Sequence, residues 1–142
     1  MFLGTYEHSI DSKNRLSLPS RIVSKINEDV VVSKGFDGCL ELRTLSAFEV
    51  YSEKLMQLSQ NKKDSRIVIR QLLANAIDLS LDSAKRILIP NSLLAESNIT
   101  KDVVIIGLGN KLEIWDKGTY QKFKQETDVT YAEIAEKIDK EE

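Results

Sequence analysis

The sequence predicts an α+β protein that is mainly β, built from two copies of one small unit in a single chain. Three observations carry this. First, Ile10-Asp11-Ser12-Lys13-Asn14-Arg15-Leu16-Ser17-Leu18-Pro19 matches Leu81-Asp82-Ser83-Ala84-Lys85-Arg86-Ile87-Leu88-Ile89-Pro90, 71 positions later. Both read apolar, Asp, Ser, two residues, Arg, apolar, any residue, apolar, Pro. Second, the chain has only two prolines, Pro19 and Pro90, and they coincide in that pattern. Third, later landmarks keep their order: Asp29–Val32 answers Asp102–Ile105, Leu40-Glu41-Leu42 answers Leu112-Glu113-Ile114, and Phe48 answers Tyr120.

Each copy follows one plan. A first strand alternates apolar and polar residues, as Ile77, Leu79 and Leu81 do between Asp78, Ser80 and Asp82. A tight polar turn follows, then a short strand, Leu16 to Leu18 or Ile87 to Ile89. Proline comes next, where its fixed φ suits the first turn of a short helix. A hairpin is then expected. Val30–Val32 and Cys39–Leu42 flank Gly35-Phe36-Asp37-Gly38, and Val103–Ile106 and Leu112–Trp115 flank Gly107-Leu108-Gly109-Asn110.

Helices separate and close the copies. Ser46-Ala47-Phe48-Glu49 has the spacing of a capping box, with Leu45 and Val50 placed for a hydrophobic staple. Phe48, Tyr51, Leu55 and Leu58 then share a face. After Asn61–Asp64, residues Ile69, Leu72, Leu73 and Ala76 line a second helix. In the tail Thr130 and Glu133 repeat the capping spacing, and Tyr131, Ile134 and Ile138 share a face. Such stripes serve either a subunit interface or packing onto the chain's own sheet. The expected organisation is a first unit with trailing helix over 1–60, a connecting helix over 61–75, a second unit over 76–125 and an acidic helix over 126–142. Halves of about 70 residues bury too little surface to be comfortable alone, so the two should lean on each other or on other subunits.

Composition bounds the function. The 142 residues carry a net charge of −2 with a pI near 5.6, which excludes a uniformly basic nucleic-acid binder. The charge is unevenly spread. Lys13, Arg15, Arg21 and Lys25 outnumber the acids of residues 1–25. Lys62, Lys63, Arg66, Arg70, Lys85 and Arg86 do so over 60–90, while residues 126–142 set two lysines against seven acids. The single cysteine, Cys39, permits no intrachain disulfide, fits a reducing cytosol, and reads as a small hydrophobe in a strand. The longest purely apolar run, Val103–Ile106, is far below the roughly 20 residues that a membrane span needs.

The repeated turn carries the chemistry. A tight turn projects Lys13 and Arg15 away from the sheet. Arginine offers a planar fork that pairs with phosphate or with guanine O6 and N7, and lysine offers a mobile charge for phosphates. Asn14 can donate and accept at a base edge. Asp11 is expected to accept backbone N–H bonds within its own turn, and Asp82, Pro19 and Pro90 are read with it as turn-structuring residues.

The segments Gly4-Thr5-Tyr6-Glu7-His8-Ser9-Ile10-Asp11-Ser12-Lys13-Asn14-Arg15, Gly35-Phe36-Asp37-Gly38-Cys39-Leu40, Lys62-Lys63-Asp64, Asn110-Lys111-Leu112-Glu113-Ile114-Trp115 and Glu133–Ile138 resemble the MraZ family. The resemblance covers nearly the whole chain in order. It implies two AbrB-like (SpoVT-AbrB) swapped-hairpin β-barrel modules forming a pseudo-dimer with flanking helices. It also implies a cytoplasmic, nucleoid-associated regulator that forms ring-like homo-oligomers. Such a regulator would bind double-stranded DNA at short promoter repeats upstream of the division and cell-wall gene cluster. The family's turn runs Asp-x-x-Gly-Arg, with Lys favoured third in the first copy. Here Asn14 takes the glycine position, and asparagine tolerates a left-handed backbone. Lys85 takes it in the second copy and accepts positive φ less readily, so the second turn is expected to be the less regular. The DNA-contacting residues are then Lys13, Asn14, Arg15, Lys85 and Arg86.

Other chemistries lack their residues. His8 is the only histidine, no nucleophile-elbow pattern accompanies it, and zinc would need more His or Cys than the chain has. Gly107-Leu108-Gly109 follows a strand but precedes another strand, not the helix of a phosphate-binding loop. No catalytic residue, metal, cofactor or small-molecule substrate is expected. An oligomeric scaffold or antitoxin-like partner binder is the rival reading. RNA binding is weaker, because no aromatic platform for stacked bases is evident.

Overall fold

The computed structural model describes residues 1–141, excluding the side chain of Glu141. Its elements run β1 (Phe2–Ser9), β2 (Arg15–Ser17), α1 (Ser20–Val23), β3 (Val30–Lys34), β4 (Leu40–Thr44) and α2 (Leu45–Met56). They continue through α3 (Lys63–Ala74), β5 (Ile77–Leu79), β6 (Arg86–Leu88), α4 (Asn91–Glu96), β7 (Asp102–Gly109), β8 (Leu112–Asp116), α5 (Lys117–Asp128) and α6 (Tyr131–Glu141). The class is α+β, with the strands arranged as tandem swapped modules. A six-stranded antiparallel sheet has the order β1-β7-β8-β4-β3-β5, and β2 and β6 form a separate two-stranded ribbon.

The order shows the exchange. β1 of the first copy pairs with β7 of the second, and β5 of the second pairs with β3 of the first. The registers correspond: Tyr6 faces Ile105 as Ile77 faces Val32, and His8 faces Val103 as Leu79 faces Val30. Where the copies meet, the pairing is its own mirror. Leu16 opposes Ile87 in the ribbon and Glu41 opposes Glu113 in the sheet, so a pseudo-twofold axis passes through both pairs. β1 is longer than its counterpart β5 because α3 occupies the chain just ahead of β5. The longer strand needs Gly107, where a Cβ would lie 2.5 Å from the backbone nitrogen of Leu3.

Both faces of the sheet are covered, which explains the continuous apolar runs Val30–Val32 and Val103–Ile105. On one face Val30, Val32, Leu40, Leu42, Val103, Ile105, Leu112 and Ile114 meet Leu16 and Ile87 from the ribbon and Ile22, Leu93 and Leu94 from α1 and α4. On the other face α2 and α5 cover Val31, Val104 and Trp115 together with two buried charges, Glu41 and Arg43. Glu41 is satisfied by Arg43 at 2.7 Å and Lys111 at 2.9 Å, and Arg43 lies 3.7 Å over the Tyr51 ring. Glu113, directly across from Glu41, accepts from the Trp115 indole at 3.0 Å. Cys39 is buried just before β4, and burial pushes its thiol up to about 12, so it stays protonated.

Local details depart from expectation in three places. The capping box at Ser46 and Glu49 does not form. Thr44 is the N-cap of α2 and accepts from the Ala47 amide, while Glu28 receives both the amide and the hydroxyl of Ser46. Leu45 and Val50 are both exposed. Proline precedes each short helix as its N-cap, one position earlier than a first-turn proline. α5 runs through residue 125, so two helices occupy the region beyond β8.

The alternation in β6 makes a sharp contrast between neighbours. Ile87→Ala should lower the unfolding free energy by about 2–5 kcal/mol, since it empties a fully buried site. Leu88→Ala, at an exposed site, should change it by less than about 0.5 kcal/mol. Urea denaturation of the two variants checks this, and equal losses would mean the ribbon does not pack as described.

Candidate nucleic-acid interface

The two repeated turns have the same hydrogen bonds. In the first, Asp11 Oδ1 accepts from the backbone N–H of Lys13 and of Arg15, both at 2.9 Å, and Oδ2 accepts from Arg15 Nε at 2.8 Å. In the second, Asp82 Oδ1 accepts from the N–H of Ala84 and of Arg86, both at 2.9 Å, and Oδ2 accepts from Arg86 Nε at 2.9 Å. Backbone bonds close each loop, Asn14 N–H to Asp11 and Lys85 N–H to Asp82. The residue before each arginine is left-handed: Asn14 and Lys85 both have φ 62. The second turn is therefore not the less regular one. Its aspartate makes the same three bonds, and these hold the lysine backbone where glycine would ordinarily sit.

The turns hold their carboxylates ionised. Both Asp11 and Asp82 sit below their ordinary value of 3.8, chiefly through the backbone N–H of Arg15 and of Arg86 respectively, with the arginine side chains adding to it. A carboxylate that accepts several N–H bonds is favoured in its charged form.

This geometry sets the arginines differently from the lysines. Lys13 and Lys85 are exposed, whereas Arg15 and Arg86 are half-buried and anchored through Nε. Anchoring by Nε orients the guanidinium plane. Among the described residues the side-chain hydrogen bond of Arg15 runs through Nε, to Asp11. Such a fork is ready for a planar acceptor from outside. Asn14 is half-buried and its amide donates to Asn91 Oδ1 at 2.6 Å, so it is turned toward α4 of the other copy.

The ribbon brings the two turns together. β2 and β6 run antiparallel, with Arg15 opposite Leu88 and Ser17 opposite Arg86. Arg86 Nη1 lies 3.9 Å from Asp11 Oδ2, so the second turn's arginine reaches the first turn's carboxylate. The outer face of the ribbon thus carries Arg15, Ser17, Arg86 and Leu88, flanked by Lys13 and Lys85, while Leu16 and Ile87 are its buried face. Pro19 and Pro90 start the short helices that lead the chain off the ribbon. Sequence reasoning missed Ser17, Leu88 and Asn91. The first two were findable from the period-two alternation around Leu16 and Ile87; Asn91 was not, since its bond crosses between the copies.

Among the described residues no competing site emerges. The Ser9 hydroxyl donates directly to Asp102 at 3.2 Å, and strand alternation puts His8 on the opposite face of β1 from Ser9. Among the described residues no group of three or more His, Cys, Asp or Glu is placed to hold a metal ion, and no helix is long and apolar enough to cross a membrane.

Comparison with known proteins gives a consistent result. A family model described as "MraZ protein, putative antitoxin-like" matches the chain twice, over residues 1–71 and 72–140. The chain is 46% identical over 139 residues to the "Transcriptional regulator MraZ" of Mycoplasmoides gallisepticum, with 98% of each chain covered. It is 43% identical to the protein of the same name from Mesoplasma florum, covering 97% of this chain and 95% of that one. It is 40% identical to that from Caldanaerobacter subterraneus, covering 98% and 97%.

The depressed carboxylates generate a pH prediction. The hydrogen bonds of Asp11 and Asp82 stabilise the folded state fully above the unfolded value of about 3.8 and are lost as pH falls through the lower folded values. An NMR titration of the carboxyl carbons should place both midpoints below 3.8. A midpoint at or above it would mean that the turns do not hold this geometry in solution.

Proposed function

The chain belongs to the MraZ family, and from that premise we propose that it is a transcription regulator, not an enzyme, that binds double-stranded DNA through its paired Asp–Arg turns. Its targets are short repeats upstream of the division and cell-wall gene cluster, its own promoter among them. It works there as a ring-like homo-oligomer in the cytoplasm, associated with the nucleoid. The observation that carries this reading is the pairing of two identically built turns on one ribbon, each holding an oriented arginine, in a protein whose net charge is −2. Arg15 and Arg86 are the groups for guanine edges or phosphates, Lys13 and Lys85 for phosphates, and Asn14 for a base or sugar edge beside them. Asp11 and Asp82 position the arginines by accepting from their Nε groups.

A single ribbon offers few contacts, so useful affinity requires several ribbons on one DNA. The tail supports assembly. Every residue from Tyr131 to Lys140 is exposed, including the stripe Tyr131, Ile134 and Ile138. A helix of 11 residues is below the roughly 12–15 that an isolated helix needs in water. α6 is therefore read as a subunit contact, with a second copy of this chain as the partner. The antitoxin-like reading would give the same stripe to a foreign protein, and DNA binding separates the two.

Arg15→Ala should leave a folded protein, because the Arg15–Asp11 pair is half exposed and screened by solvent. Its affinity for promoter DNA should fall roughly 5- to 150-fold for each engaged protomer, the equivalent of about 1–3 kcal/mol for a bidentate contact. Wild-type affinity should itself drop about 10³–10⁵-fold between 50 and 200 mM salt if some 6–10 phosphates are engaged. Fluorescence anisotropy measures both. Unchanged binding by the variant, or a flat salt titration, would transfer the function to the partner-binding reading.

Removing residues 130–142 should reduce the subunit number seen by light scattering and weaken binding to tandem repeats more than to one repeat. An assembly of undiminished size would remove α6 from the subunit interface.

A further inference from the structure

We propose that Leu88 reads the C5-methyl group of a thymine beside the base or phosphate held by Arg15, so that the two halves of one ribbon read different sequence; this rests on the DNA-binding reading above. The backbone of the ribbon is symmetric. Its registers are self-consistent about the Leu16–Ile87 pair, and both turns have φ 62 and the same carboxylate bonds. Its outer side chains are not symmetric. Arg15 faces Leu88, but Arg86 faces Ser17.

Leu88 is 57% exposed. Scattered exposed leucines need no explanation in general, but this one is fixed in place. Ile87 and Ile89 on either side have no exposed surface, so alternation holds Leu88 outward. It lies directly across from one arginine and two residues along the strand from the other. An apolar group framed by oriented guanidinium groups fits the major groove. That groove admits a two-stranded ribbon, and among its edges thymine offers a methyl group for apolar contact. Serine at the equivalent position offers a hydroxyl instead, which pairs with several base edges and has no need of a methyl.

The contact needs no reorganisation of the fold, since Leu88 already stands outward with more than half of its surface exposed. Burying one methyl against Leu88 is worth about a fourfold change in affinity per element.

The test starts from duplexes selected out of a random pool by the full-length wild-type protein. Each thymine of a single selected element is then replaced in turn by deoxyuridine, which keeps the pairing edge and O4 but lacks the methyl. The wild type should lose about fourfold at one position, and Leu88→Ser should bind the thymine and uracil duplexes alike. Leu88→Ser should keep the wild-type oligomer size and thermal stability. The proposal is overturned if no replacement weakens the wild type, or if Leu88→Ser retains the same methyl dependence. It is also overturned if Leu88→Ser changes the oligomer size, which would make Leu88 a subunit contact. Failure to select any sequence would remove the DNA-binding reading itself, and this inference with it.

Discussion

The ribbon stands on one apolar pair. Leu16 and Ile87 face each other across the pseudo-twofold axis with no exposed surface, and they are the side chains through which a three-residue by three-residue ribbon is held to the sheet. Two strands of that length have no independent stability. Their inward side chains packed on Val30, Val32, Val103 and Ile105 supply it. Everything outward of that pair inherits its position: the arginines one residue before it, the aspartates four residues further back, and the turn lysines between. The site is thus precise without being deep, because a buried hydrophobic contact one residue away does the anchoring.

The far end of the same axis solves a different problem. There Glu41 opposes Glu113, and like charges directly opposite would normally disfavour pairing. Symmetry is broken to resolve it. Glu41 takes both cations, Arg43 and Lys111, and Glu113 takes the indole N–H. Around them the first copy stacks Arg43 on Tyr51, while the second packs Trp115 against Tyr120 and Phe123. Two halves joined in one chain always meet each other and never a second first-half. Residues on the axis are therefore free to diverge in complementary pairs, which identical subunits cannot do.

Much of this was legible in the sequence. The two prolines, the repeated Asp-to-Arg spacing and the alternation around Leu16 and Ile87 mark turns, ribbon and buried face without any tertiary information. What was not legible depends on partners distant along the chain. Ser46 has the local spacing of a cap, yet its hydroxyl and amide go to Glu28, 18 residues away, and Thr44 caps instead. Lys85 has a poor intrinsic preference for φ 62, but three hydrogen bonds to Asp82 override it. Asn14 donates its amide to Asn91 of the other copy, a bond that no local pattern signals. The half-burial of Arg15 and Arg86 escaped notice for the same reason: a turn read in isolation looks fully solvated.

The strand exchange also governs the order in which the chain can fold. Phe2 pairs with Gly109, and β1 finds its entire partner in β7. Synthesis at about 5–20 residues per second leaves the first strand without that neighbour for roughly 5–20 seconds. During that interval β1 is a free edge with an apolar Phe2 at its start, and the growing polypeptide holds β3 and β4 without the β5 that will flank them. Folding to completion waits on the last hairpin, since sheet contacts spanning most of the chain form slowly. The alternation of Thr5, Glu7 and Ser9 along β1 keeps that waiting strand polar on one side, a safeguard against pairing with other nascent chains.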